Sequence, residues 1–231
     1  MNDNLFPRRS FCILSGLSGV AGVVLLVVSF LINAGPPENQ TSAELIRFGQ
    51  QNYARILWGA WLQAVGPVLI VLFAFSLVHL ARATQRLAGW MTFFGATTLM
   101  CVSLIEITFY ISALHPDPAV LPPISLGLIS AVQHLYFIVA APALFLPLGV
   151  VLLGSWILPR VFGFLALALA IAFAVLGAVF LLTLTLPVGV TAFAGVQAFW
   201  WLAAAVALIA RSGKISQVLW EKAQGGLPQG A

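Results

Sequence analysis

Apolar residues run almost unbroken through six stretches of this chain, roughly 11–33, 54–80, 88–113, 125–153, 161–183 and 188–210. Each is long enough to cross about 30 Å of hydrocarbon, which takes about 20 residues in a helix. Helices are the expected form, because backbone N–H and C=O groups in lipid must be paired within the segment. Pro67 in the second stretch predicts a kink, and the length of the fourth, with Pro142 and Pro147 inside it, predicts a kinked or tilted helix. Polar residues interrupt the pattern mainly at two connections. The first, "NAGPPENQTSAELIRFGQQNYARI", starts with a Pro-Pro pair and then offers Thr41 or Ser42 as an N-cap with Glu44 in the first turn. Leu45, Ile46, Phe48 and Gly49 share one side, so a short amphipathic helix lying on the surface or capping the bundle is expected. The second, "HPDPAVLPP", predicts a stiff, extended loop.

Composition agrees with the pattern. Only 7% of the residues are charged and the mean hydropathy is +1.07, whereas soluble domains carry about 25% charged residues. The expectation is an all-α polytopic membrane bundle forming one integral domain over residues 1–231, with 211–231 as a short tail. Charge then sets the orientation. Arg8, Arg9, Arg82, Arg86, Arg160, Arg211, Lys214 and Lys222 fall on one side and only Arg47 and Arg55 on the other. By the positive-inside rule both termini face the cytoplasm, in a cell (inner) membrane, and the short helix after the first span is external. The opening "PRRSFCIL" resembles a twin-arginine export signal. Its apolar run of about 22 residues exceeds a secretory h-region and "INAG" is a poor cleavage site, so a retained first helix is expected.

The stretch "SAELIRFGQQNYARILWGAW", followed by a span, resembles a broad group of uncharacterised bacterial multi-pass membrane proteins. The matching positions are Glu44, Phe48, Asn52, Arg55, Ile56 and Gly59, and the resemblance covers roughly residues 1–110. It implies the same topology and carries over no catalytic residue.

The chemistry concentrates on one level. Glu106 lies inside the third stretch, where a carboxylate costs about 2.5–3.5 kcal/mol on insertion scales and normally faces the bundle interior or water. Ser103, Glu106 and Tyr110 form one helical stripe. At about 1.5 Å per residue, Glu106 is about 10 Å from the outer boundary, Gln63 and His134 about 14 Å, and Gln197 about 15 Å. Gln133 adjoins His134, Ser130 extends that face, and Arg55 sits at the mouth of a stripe through Gly59 and Gln63. These residues form a candidate ligand-binding layer drawn from four helices, in the outer half and reached from outside.

Each also has a plainer role. Glu106 can be a structural hydrogen-bond acceptor for Gln63 or His134, His134 a packing residue, and the glutamines interhelical glue. Arg55 can be a snorkelling anchor. Trp58, Trp61 and Tyr110 fit an outer aromatic belt, Trp90 and Trp156 an inner one, and Trp200 and Trp201 lie deeper, placed to line a pocket or to pack, with packing favoured.

No cofactor or metal is expected. His79 and His134 lie towards opposite ends of their helices, which disfavours haem. Lys214 and Lys222 are outside the spans, which disfavours a retinal Schiff base, and Glu106 with His134 is too small a set for zinc. No CxxC, phosphate loop, GxSxG or HExxH occurs, and no basic–aromatic patch suggests nucleic acid. Three classes remain. The first binds or transports a small molecule or lipid, with Glu106 taking a cation or exchanging a proton. The second is a structural or accessory subunit. The third, ranked lowest, is an enzyme using Glu106 and His134 as general acid and base on a lipid. Membrane lipid is an expected partner. The small residues of "SGLSGVAG" allow a homo-oligomer or a membrane-protein partner as well as packing within the chain.

Overall fold

The computed structural model describes residues 9–33, 41–112, 114, 128–129, 131–183 and 189–224. The Pro-Pro pair, the proline-rich loop, Arg8 and Ser130 lie outside them. The helices are α1 (Arg9–Ile32), α2 (Ser42–Gln51), α3 (Tyr53–Leu80), α4 (Leu87–Ser112), α5 (Ala131–Leu153), α6 (Arg160–Thr183) and α7 (Gly189–Gln224). No strand occurs among the described residues. All but α2 are long and apolar enough to cross a membrane, making six candidate spans.

Their outer faces carry large apolar side chains, including Leu14, Phe30 and Leu31 on α1, Phe94 on α4, Phe164 and Ile171 on α6, and Phe199 on α7. A water-soluble protein does not expose so much contiguous apolar surface; in a bilayer it is the solvated surface. The fold is therefore that of a multi-pass helical membrane protein.

The spans pack in the ring order α7, α1, α3, α4, α5, α6, and the backbones of α6 and α7 make the thinnest contact. Small residues set the closest approaches. On α1, Gly16 faces α7 at Ala205, Gly19 sits between Phe73 of α3 and Ala205 of α7, and Gly22 faces α3, where an added Cβ would stand 2.9 Å from the Gly66 carbonyl oxygen. Ser29 Oγ donates to the Gly59 carbonyl at 3.0 Å across the same interface. The "SGLSGVAG" stripe is thus used within the chain. A second close crossing joins α4 to α5, where a Cβ on Gly95 would lie 2.1 Å from the Ala143 carbonyl oxygen.

Aromatic rings fill the centre. Phe145 of α5 stacks on Phe173 of α6 (6.2 Å, 18°) and meets Trp200 and Trp201 of α7, while Phe73 of α3 meets Trp201 edge-on. Trp200 Nε1 donates to the Phe162 carbonyl at 3.1 Å, tying α7 to the start of α6. Both tryptophans pack as expected.

Helix ends follow local chemistry. Thr41 caps α2 in a capping box: Glu44 N donates to Thr41 Oγ1, and Thr41 N donates to Glu44 Oε2 at 2.8 Å. The backbone N–H of Thr41, then its hydroxyl, hold the Glu44 carboxyl below the ordinary glutamate range. Leu45, Ile46, Phe48 and Gly49 are the half-buried face, as the pattern predicts.

α3 runs through Pro67 as one helix and ends in a Schellman turn. Ala83 N bonds to Val78 O, Arg82 N bonds to His79 O, and Arg82 has φ +52°. That is the left-handed position usually given to glycine. In α5, Pro142 has no N–H for the preceding turn. The helix absorbs this through a π-turn over Tyr136–Ala140, closed by Ala141 N–H on the Tyr136 carbonyl. α7 continues past the predicted boundary near 210 as one helix to Gln224.

Candidate functional site

Three helices bring three polar side chains to one point. Gln63 of α3 and Glu106 of α4 occupy facing stripes, with the small side chain of Ser103 one turn from Glu106 at the same interface. Gln63 Nε2 donates to Glu106 Oε2 at 2.8 Å, and Gln133 Nε2 of α5 donates to Oε1 at 3.0 Å. Ser103 Oγ, one turn from Glu106, donates to the Gln63 backbone carbonyl at 3.3 Å. Both carboxyl oxygens therefore accept, and α4 grips α3 by side chain and backbone together.

The layer continues through α5. Tyr136 lies three residues after Gln133, so the two share one side of the helix, and its hydroxyl donates to Gln197 Oε1 of α7. The amide and phenol of α5 thus reach α4 on one hand and α7 on the other. Gln63 and Gln197 are buried; Glu106, Gln133, His134 and Tyr136 are half-buried.

The sequence-derived residues divide clearly. Glu106, Gln63 and Gln133 come together, and Gln197 joins the layer through Tyr136. The tyrosine was missed because a tyrosine within a span reads equally as packing; its three-residue spacing from Gln133 was the available signal. His134 is half-buried beside Gln133 and makes none of the Glu106 hydrogen bonds described here. Tyr110 is half-buried one turn beyond Glu106. Arg55 is exposed, two turns nearer the start of α3 than Gln63, with Nη1 3.5 Å from Asn52 Oδ1. Exposed Trp58 and Trp61 pack edge-on near it, and Trp90 is exposed near the start of α4.

Among the described residues no three His, Cys, Asp or Glu side chains converge as a metal set. What the site offers is a carboxyl oriented by two neutral amide donors, with a phenol–amide pair and an imidazole nearby. That arrangement can hold a proton or a cationic hydrogen-bond donor.

These features define a class, a polytopic helical membrane protein with an intramembrane carboxyl layer. Compared with protein-family models, curated proteins and solved structures, the chain matches none.

Proposed function

We propose that this chain is an inner-membrane binding or transport protein that takes a small molecule or lipid bearing a cationic or proton-donating group at Glu106. One observation carries the reading: among the described residues, Glu106 accepts hydrogen bonds from two amides, Gln63 and Gln133, neither of which carries charge. Neutral donors orient a carboxylate without cancelling its charge, and a buried charge is costly unless paired. The balancing positive charge is then supplied by the ligand, or by a proton exchanged with it. In this reading both termini are cytoplasmic, α2 lies at the external surface, and the layer opens outward as a polar pocket in the outer half of the bilayer. Gln63, Gln133, His134, Tyr110 and Gln197 orient the ligand, and Arg55 marks the external boundary.

The layer's own bonds favour a second reading. Gln63–Glu106–Gln133 and Tyr136–Gln197 satisfy one another within the chain, as expected of a scaffold in an accessory subunit without its own substrate. Native mass spectrometry of gently extracted wild type and Glu106→Gln, with solvent extraction of any released molecule, separates the two. A stoichiometric molecule on wild type that is lost from the folded variant supports binding. No molecule on either protein, with Glu106→Gln merely less stable, favours the scaffold.

A further inference from the structure

The end of the bundle opposite α2 carries Arg9, Arg82, Arg86, Arg160, Arg211 and Lys214. Glu44 and Glu106 lie towards the other end, and on this end α7 carries one acidic residue, Glu221, beyond Lys214. Cations gathered at a membrane boundary attract anions, and here three of them meet on one loop, 154–159. Arg86 Nη1 lies 3.7 Å from the point where a Cβ on Gly154 would stand. Arg211 Nη2 donates to the Trp156 carbonyl at 3.1 Å, while its Nε is buried without a partner among the described residues. Arg160 is exposed and opens α6, whose first-turn amides add the positive end of a helix dipole.

Arg82 joins this group through its turn. Ala83 packs with Val78 and with Val151 of α5, which fixes the 81–86 turn against the end of α5 that leads into the loop. Arg82 itself is exposed and holds a left-handed backbone that glycine adopts without strain. A bulky cation in that position is a local conflict, and such conflicts mark places where the side chain has a task.

We propose that this end holds one phosphate-bearing anion between the 81–86 turn and the 154–159 loop, with Arg82, Arg86 and Arg160 as its cationic contacts. A phospholipid headgroup presents such a group at the membrane boundary; inorganic phosphate is the other source. The proposal is independent of the Glu106 site and of which face of the membrane this end occupies.

The full chain in detergent is titrated with phosphatidylglycerol or phosphatidylcholine and followed by native mass spectrometry. The variants are Arg82→Gly, Arg86→Gln and, at the opposite end, Arg47→Gln. The expected result is one retained phosphatidylglycerol and no retained phosphatidylcholine, with binding about fivefold weaker in each of the first two variants and unchanged in Arg47→Gln. Glycine suits the turn at 82, so a loss there at unchanged melting temperature is not a folding defect. If inorganic phosphate displaces the lipid and alone raises the melting temperature of wild type but not of Arg82→Gly, the source is free anion; if the lipid resists, the source is the headgroup. Equal binding of the two lipids overturns the proposal. So does phosphatidylglycerol binding that is undiminished in folded Arg82→Gly and Arg86→Gln, or equally reduced in Arg47→Gln.

Discussion

Glu106 accepts one hydrogen bond at each oxygen, so removing either glutamine leaves half of the carboxyl unserved. Gln63→Ala and Gln133→Ala are each expected to lower stability by about 0.6–1.7 kcal/mol, the range of interhelical hydrogen bonds in membranes. A double-mutant cycle with Glu106→Ala should recover a coupling of that size by reversible unfolding in mixed micelles; a cycle that sums to zero would deny the bonds any energetic role. At Arg82 the expectation runs the other way. Relief of about 1–2 kcal/mol from the left-handed backbone exceeds glycine's extra unfolded-state freedom of about 0.4–1 kcal/mol, so Arg82→Gly should not lower the melting temperature. Arg82→Val should, because a β-branched residue fits the left-handed region poorly. Glu106 was legible in the sequence because a lone carboxyl in an apolar run stands out, and counting depth along the spans brought Gln63 and Gln133 into its layer. Tyr136 was not, since a tyrosine in a span reads equally as packing or as a belt residue. Arg82 was read only as a charge, because nothing in "ARATQR" announces a left-handed arginine.

Among the elements, α2 depends on its cap. The Glu44 carboxyl is held below its ordinary range by the Thr41 amide and hydroxyl. A depressed folded pKa means that the cap's contribution is present above the unfolded glutamate pKa and disappears as pH falls through the lower folded value. Amide exchange in α2 should therefore rise selectively under acid, after correction for the pH dependence of intrinsic exchange. Glu44→Gln should remove that dependence. The α4–α5 crossing is a steric prediction. Gly95→Ala would press a methyl to 2.1 Å from the Ala143 carbonyl, and overpacking of this kind costs about 1–3 kcal/mol, readable as a lower melting temperature. The long helices were legible from length and hydropathy alone, and α2 from Thr41 and Glu44. The π-turn at Tyr136–Ala140 was visible only as a prolinyl irregularity near 142. Pro142 alone does not say whether the helix bends or takes up an extra residue; Gly177 of α6 leaves room beside the turn, where an added Cβ would meet the Ile138 backbone at 2.9 Å. The length of α7 was underestimated because its end is polar, and a hydropathy boundary marks where a helix leaves lipid, not where it stops.

For the whole molecule, the charge asymmetry predicts that Gln50→Cys is labelled by an impermeant maleimide in intact cells and that Lys214→Cys is labelled only after permeabilisation; the reverse pattern would invert the bundle. The ring order has a further consequence for how the protein is made. α1 is sandwiched between α3 and α7, so one side of it is covered early by α3. The other, where Gly16 meets Ala205 and Ile209, waits for α7. Insertion must therefore carry an open glycine face through the synthesis of the intervening helices, and the ring closes only when α7 arrives. A nascent chain stalled before α7 is a half-open bundle with an adhesive first helix, and two such chains have matching faces to offer each other. Quality control that recognises unpaired small-residue faces would find its target in that species.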